Sequence, residues 1–241
     1  MIVNAENMHF KVLNERIKSA LEQDITVENC IGQRYIGDGV SDKRIRINGT
    51  AGNALGAYLN GAEIRVFGNA QDAIGDTMND GEIFVYGSCG DAPGYAMRGG
   101  KIFIRDHAGY RAGIHMKAYE TKHPVLVIGG KAGSFLGEYQ AGGVIVVLGI
   151  GCSEGESPVG NFCGTGMHGG KMFIRCEQPP AGLPKQVTAR KAEPADMKEI
   201  EAVLKEFCCA FEFEPSDILS RSFYVLEPDT KNPYKQLYTY N

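Results

Sequence analysis

Four residues near the end of a glycine-rich region are of types that bind metal ions: Cys152, Cys163, His168 and Cys176. Thiolate and imidazole groups are the ligands that Zn²⁺ prefers in proteins. No two of the cysteines have the Cys-x-x-Cys spacing of structural zinc sites, and free cysteines are common in protein cores as small apolar residues. The sequence therefore predicts no metal site, and it leaves open whether these four side chains meet in space.

Two further features could support catalysis or cofactor binding. Asp106 and His107 are adjacent and His115 lies nearby, a combination suited to acid–base chemistry, but no nucleophile accompanies them. The glycine-rich stretches 149–151 and 164–166 have the composition of phosphate-binding loops, but no helix pattern follows them as such a loop requires. We therefore expect no catalytic residue and no cofactor-binding residue on this chain.

The region that contains these residues is built from a repeat of nineteen residues. Apolar pairs such as Ile45/Ile47 and Ile64/Val66 recur at this interval and alternate as strands do. One period is too short for a strand and a full helix with two connections, and it suits three short strands joined by bends. The sequence therefore predicts an all-β solenoid, a β-helix of about seven coils over residues 25–177. The structural repeat is marked by Gly37, Gly56, Gly75, Gly94, Gly113, Gly137 and Gly160.

The segments on either side of the repeat have a different pattern. Apolar residues within 8–23 follow helical spacing, so residues 1–24 are expected to contain no strand and to form a helix that caps the open end of the solenoid. Residues 178–241 are predicted to hold a linker over 178–193, a helix that begins at Pro194, and an aromatic C-terminal arm. Two positions for the arm stay open, on its own solenoid or on another chain. Its aromatic residues are Phe223, Tyr224, Tyr234, Tyr238 and Tyr240.

The residues between the inward pairs of each strand should point outward from the solenoid. This outer column begins with Arg46 and Arg65 and is apolar from the third coil onward. An apolar outer face is expected to be covered, either by the flanking helices or by another protein. We take as the hypothesis a partner-docking face formed by Phe84, Phe103, Leu126, Ile145 and Phe173.

Composition narrows the classes of function. The chain has 241 residues, 43% of them hydrophobic, and a net charge of −4 without a basic run, which argues against nucleic acid as a partner. Seven cysteines without paired spacing suit a reducing compartment. No apolar run is long enough to span a bilayer, and no signal peptide is evident. A cytoplasmic protein without membrane contact is the expectation.

The glycine repeat closely resembles the C-terminal domain of the glutamate synthase large subunit. The resemblance rests on segments 68–72, 75–79, 94–101, 109–117, 129–133, 135–139 and 164–170. In that family the domain is a right-handed parallel β-helix, which agrees with the coils read from the repeat. The same domain also forms one subunit of formylmethanofuran dehydrogenase, which is the alternative.

This resemblance implies an accessory role for the chain. Glutamate synthase converts glutamine and 2-oxoglutarate into two glutamates with electrons passed through FMN and an iron–sulfur cluster. Its glutaminase uses an N-terminal cysteine, whereas this chain begins with Met1, and the cysteines here lack the close spacing of a cluster site. The resemblance thus implies a structural subunit of a split enzyme, with FMN and the cluster on partner subunits, an FMN-binding synthase and a glutaminase. A stand-alone enzyme acting on polysaccharides is disfavoured by the apolar outer column.

Overall fold

The structure of the chain is a computed structural model that describes residues 1–229. The residues of the predicted aromatic arm that follow Asp229, among them Tyr234, Tyr238 and Tyr240, lie outside the described residues. The elements of the described part are β1 (Ile2–Asn4), α1 (Phe10–Ser19), β2 (Asp24–Ile31), β3 (Arg44–Thr50), β4 (Asn60–Phe67), β5 (Asp80–Val85), β6 (Lys101–Ile104), β7 (Val125–Ile128), β8 (Ala141–Val147), β9 (Gly169–Arg175), β10 (Val187–Lys191), α2 (Pro194–Phe211), α3 (Pro215–Leu219) and β11 (Phe223–Pro228).

Within residues 1–229 all strands belong to one eleven-stranded sheet. Strands β1 to β9 lie in chain order, and each is parallel to the next. In the regular part of the sheet Ile45 lies opposite Ile64, and Ile64 lies opposite Ile83. The nineteen-residue repeat is therefore the register of a parallel sheet to which each repeat adds one strand. The all-β class is confirmed.

The repeats also contact one another away from the sheet, at the glycines that mark them. The N–H of Gly56 donates to the carbonyl oxygen of Ile36 at 2.8 Å, and the N–H of Gly75 donates to that of Leu55 at 2.8 Å. Gly75 has a φ of +64°, and a Cβ added there would lie 2.4 Å from Ile102 Cδ1. Glycine is needed in this column because the backbone is left-handed and a buried isoleucine fills the adjacent space.

The last member of the glycine column is Gly164, so the prediction of Gly160 is wrong. Gly164 has a φ of +71°, and its N–H donates to the carbonyl oxygen of Leu136 at 2.8 Å, which continues the column. Gly160 instead donates to the carbonyl oxygen of Ala132 at 3.1 Å. An irregular loop before Gly160 lengthens this repeat, so the glycine closest to the expected position belongs to a different column.

A strand precedes the first helix, so the prediction that the N-terminal segment contains no strand is wrong. β1 pairs with β2, and Ile2 lies opposite Thr26. Val3 of β1 packs into the same core as Leu13 and Ile17 of α1. Three residues are too few to show an alternating pattern, which is why the sequence does not reveal the strand.

The C-terminal segment closes the sheet with two antiparallel strands. β11 pairs with β9, and β10 pairs with the other edge of β11. β10 lies within residues 178–193, so the prediction of a linker there is wrong over this strand. Only Val187 of β10 is buried, so its sequence lacks an apolar alternation. Between these strands, α2 begins at Pro194, and the Asp196 carboxylate accepts the N–H of Glu193 at 2.8 Å as part of a capping box.

Candidate functional site

The apolar outer face of the sheet is covered by α2 of the same chain. Phe84 and Phe103 stack with their ring centroids 4.9 Å apart, and Phe211 meets Phe84 edge-on at 6.4 Å. These rings form one buried cluster with Phe173 and with Phe207 of α2. The sequence leaves open whether the flanking helices or another protein cover this face. The structure shows α2 on this part of it, so these phenylalanines are not accessible to another protein.

Leu126 and Ile145 do not belong to the outer column, so their prediction as part of a partner face is wrong. Leu126 lies opposite Ile102 and Ile145 lies opposite Leu126, which places both in the interior core. The outward residues are Val127 and Val146, which pack beneath α2. The repeat that ends in β7 is longer than nineteen residues, so the regular spacing no longer gives the position of this strand. β7 and β8 are also apolar at successive positions, so an alternation of apolar and polar residues cannot fix their register.

Ion pairs and hydrogen bonds fasten the C-terminal helices to the sheet. Lys171 of β9 donates to Glu199 of α2 at 2.6 Å. Arg175 of β9 donates to the carbonyl oxygens of Leu148 and Ile218 at 2.9 and 2.8 Å. Burial lowers the pKa of Arg175 from its usual value. These contacts hold α2 and α3 as parts of the folded unit.

The four metal-ligand candidates are placed in the last repeats. Within residues 1–229 no group of three or more histidine, cysteine or acidic side chains lies in a metal-binding arrangement. Cys163 is buried beside Met172, with 3.9 Å between the two sulfurs, and burial raises the pKa of its thiol to about 12. Burial also raises the pKa of Cys176 to about 11. Both thiols are therefore protonated near neutral pH, unlike a thiolate ligand or nucleophile.

The acid–base candidates make three separate contacts. Asp106 accepts two hydrogen bonds from Arg105, at 2.9 and 3.0 Å. His107 accepts the N–H of Lys131 through Nδ1 at 2.9 Å, which joins two repeats. His115 stacks on the ring of Tyr139, with centroids 5.2 Å apart. Asp106 and His107 support the fold, whereas His115 lies on an exposed surface.

That exposed surface is a feature the sequence analysis missed. In the repeats of Gly113 and Gly137, the residues two before and two after the column glycine carry large side chains, and in the repeat of Gly164 only the residue two before it does. Two rows result: Arg111 lies over Phe135, which stacks on Phe162, and His115 stacks on Tyr139 and also meets Tyr95, the residue that directly follows Gly94. We call these six residues the aromatic ridge. In the three repeats directly before that of Gly113, the residue two before the column glycine is alanine, and that contrast is the signal the sequence offers: Ala54, Ala73 and Ala92.

A cleft of about 890 Å³ lies between α2 and the end of the sheet. Val125, Val144 and Val203 are among its apolar lining residues, and Lys171 and Glu227 are among its charged ones. Two carboxylates neutralise Lys171, because Glu227 lies 3.7 Å from its Nζ in addition to the contact with α2.

Among the described helices, none is long and apolar enough to cross a membrane.

Comparisons with known proteins place the chain in a family. The model of the GXGXG motif family matches residues 5–227. Uncharacterized protein MJ1350 of Methanocaldococcus jannaschii is 43% identical over an alignment 253 residues long, gaps included. The alignment covers 99% of this chain and 96% of that protein.

A chain in the crystal structure of the formyltransferase/hydrolase complex (FhcABCD) from Methylorubrum extorquens, in complex with methylofuran, superposes with a TM-score of 0.62 at 16% identity. The match covers 94% of this chain and 90% of that one, and at such low identity it shows a shared fold. The motifs, the register of the sheet and the extent of the family match agree: the chain belongs to the GXGXG motif family, the glycine-repeat domain of the C-terminal part of the glutamate synthase large subunit.

Proposed function

We propose that this chain is a non-catalytic coupling subunit of a split glutamate synthase. It is a right-handed parallel β-helix of about seven coils that holds a glutaminase module and an FMN-binding synthase module in position. Together the assembly converts glutamine, 2-oxoglutarate, two electrons and two protons into two molecules of glutamate. FMN and an iron–sulfur cluster reside on the synthase module, and this chain supplies the geometry between the modules.

The observation that carries the proposal is the extent of the family match. It spans residues 5–227, so the glycine-repeat domain occupies nearly all of the chain. Because this domain occupies those residues, the proposal assigns the FMN-binding and glutaminase activities to partner subunits. The relative from Methanocaldococcus jannaschii matches over 96% of its own length, which supports the domain being used as a chain of this size.

The construction of the sheet also supports a coupling role. Nine parallel strands in chain order give a stack roughly 40 Å long at a strand spacing of about 4.8 Å. Hydrogen bonds join successive repeats both in the sheet and at the glycine column, so the stack resists bending. A rigid body of this length can separate two modules by a fixed distance.

A second candidate is a scaffold subunit of another multi-subunit complex. The structural likeness to a chain of the FhcABCD formyltransferase/hydrolase complex favours it. Such a chain would bind a one-carbon-transferring subunit, as the formylmethanofuran dehydrogenase alternative also implies. The two candidates share the role of a non-catalytic scaffold and differ in their partners.

Co-purification tests the proposal and separates the candidates. The chain is expressed together with an FMN-binding synthase chain and a glutaminase chain from the same genome, and the complex is isolated by size-exclusion chromatography. The expected result is one peak that contains all three chains and flavin absorbance. Separate elution of this chain from both modules would contradict the proposal. Recovery from native extract in a complex with formyl-transferring activity would favour the second candidate.

A further inference from the structure

The aromatic ridge places large exposed side chains on strained backbone. Arg111, His115, Phe135, Tyr139 and Phe162 have φ values of +58°, +56°, +64°, +54° and +61°. Residues with a Cβ avoid this left-handed region, and bulky ones are rare there. Phe162 is nevertheless 56% exposed and Tyr139 is 38% exposed. The fold gains little from burying them.

The same turn is built with smaller residues elsewhere in the chain. Ala54, Ala73 and Ala92 have φ values of +58°, +57° and +55° and donate the same kind of inter-repeat hydrogen bond as Phe135. The backbone of these turns therefore requires no aromatic ring. Exposed rings on strained backbone are a pattern found at binding surfaces, where the surroundings hold a costly conformation in place.

Carboxylates continue the ridge toward the earlier repeats. Asp72 Oδ1 accepts the N–H of Asp91 at 2.8 Å, and Asp91 Oδ1 accepts the N–H of Tyr110 at 2.8 Å. Tyr110 precedes Arg111 and is 54% exposed. Asp72 and Asp91 are exposed, and neither forms an ion pair with another residue of the described part. Arg111 itself is paired with Glu138 at 3.5 Å, so its charge is already balanced and the carboxylates of Asp72 and Asp91 are left without a cation.

We propose that the ridge, with Asp72 and Asp91 at its end, is the surface on which a partner subunit docks through a basic, arginine-bearing segment. Guanidinium groups stack on aromatic faces and pair with carboxylates, so one type of side chain complements both halves of the surface. Aromatic residues and arginine are also enriched at the energetic centres of protein interfaces. This inference rests on the proposed function, because it assigns the docking surface for one of the two modules.

Two double variants test the surface. Tyr139→Gly with Phe162→Gly removes two rings and relaxes two left-handed residues. Asp72→Asn with Asp91→Asn removes both charges and keeps the side-chain oxygens that accept the backbone N–H groups. Leu219→Ala is the control, because Leu219 is an exposed apolar residue of α3 away from the ridge.

Each protein is titrated with the purified FMN-binding synthase chain and, separately, with the glutaminase chain, at low and at physiological salt. For one of the two modules, the glycine variant is expected to bind at least about 30-fold more weakly than wild type. The asparagine variant should bind more weakly and lose much of the salt dependence. The control should bind as wild type does.

Three outcomes would overturn the inference, and they are distinguishable. If wild type binds a module and both double variants bind it equally well, the docking surface lies elsewhere and the proposed function stands. If the glycine variant unfolds at a lower temperature than wild type in the absence of partners, the rings serve the fold. If wild type binds neither module, that result contradicts both the proposed function and the assignment of this docking surface.

Discussion

Lys101 of β6 joins α2 to the sheet, with 2.7 Å between its Nζ and Glu206 Oε2. The same ammonium group donates to Glu82 of β5 at 3.0 Å. Burial raises the pKa of Glu206, although the ammonium group opposes this shift. The pair lies beside the phenylalanine cluster, so charge and apolar packing both hold the helix against the apolar outer face.

The cluster beneath α2 should be a major source of stability. Phe103→Ala is expected to lower the free energy of unfolding by about 3–5 kcal/mol, because it leaves a cavity between the sheet and the helix. Leu219→Ala, at an exposed position, should change it by less than about 0.5 kcal/mol. Denaturant unfolding followed by circular dichroism measures both. Equal stabilities of the two variants would mean that α2 does not pack on this face in solution.

Substitutions of two glycines should separate the cost of backbone strain from the cost of side-chain crowding. Gly39 and Gly75 both have left-handed backbone, with φ of +67° and +64°, but only Gly75 has a side chain in the way. Gly39→Ala should lower stability by about 1–2 kcal/mol from strain alone. Gly75→Ala should lower it by a further 1–3 kcal/mol because its Cβ meets Ile102. Thermal unfolding of the matched pair checks the difference, and equal losses would show that the column is not crowded.

Asp196 should make stability depend on pH below about 4. Hydrogen bonds from Arg190 lower the pKa of this capping residue to about 2, and burial only partly opposes them. Because the folded-state pKa lies below that of the unfolded chain, the stabilisation is present above the unfolded pKa of about 3.9. It is lost as the pH falls toward 2.

Asp196→Asn tests this linkage. The variant should be less stable than wild type by about 1–2 kcal/mol at pH 7, since it loses a charge-assisted contact at the start of α2. The difference should shrink as the pH falls toward 2, because wild-type Asp196 is then protonated as well. Urea unfolding at a series of pH values provides the measurement. A difference that stays constant down to pH 2 would show that the carboxylate charge is not the cause.

Native thiol labelling should distinguish the cysteines by burial. Cys209 is exposed, whereas Cys89 and Cys163 are buried, with pKa values that burial raises to about 12. Iodoacetamide at pH 8 should therefore modify Cys209 first, and the other two after denaturation. Mass spectrometry of peptides gives the order. Rapid modification of Cys163 in the native protein would contradict its interior position.

The sequence predicts the regular part of the fold because a parallel sheet in register repeats the same spacing between neighbouring strands. It fails where the spacing changes. Gly160 is assigned to the wrong column after an irregular loop, and Leu126 is assigned to the wrong face because its strand is apolar at successive positions. No local rule chooses between two registers when both faces of a strand are buried.

The alanine contrast marks the aromatic ridge in the sequence, but the exposure of its rings follows only from the backbone. Phe135 and Phe162 look like core residues in the sequence, and the left-handed turn that exposes Phe162 is set by its stacking on the neighbouring repeats. The prediction of the partner face rests on apolar side chains alone. Those side chains, such as Phe84 and Phe103, are covered by the chain's own helix because α2 carries a matching apolar stripe.

Nitrogen transfer in the reconstituted complex tests the central claim most directly. The synthase and glutaminase chains are supplied with 2-oxoglutarate, reductant, glutamine labelled in its amide nitrogen, and an excess of unlabelled ammonium, with and without this chain. A coupling subunit predicts that the chain raises the labelled fraction of the glutamate formed from 2-oxoglutarate, because the nitrogen passes between modules without equilibrating with solvent. An unchanged labelled fraction, with all three chains folded and present at saturating concentration, would contradict the account.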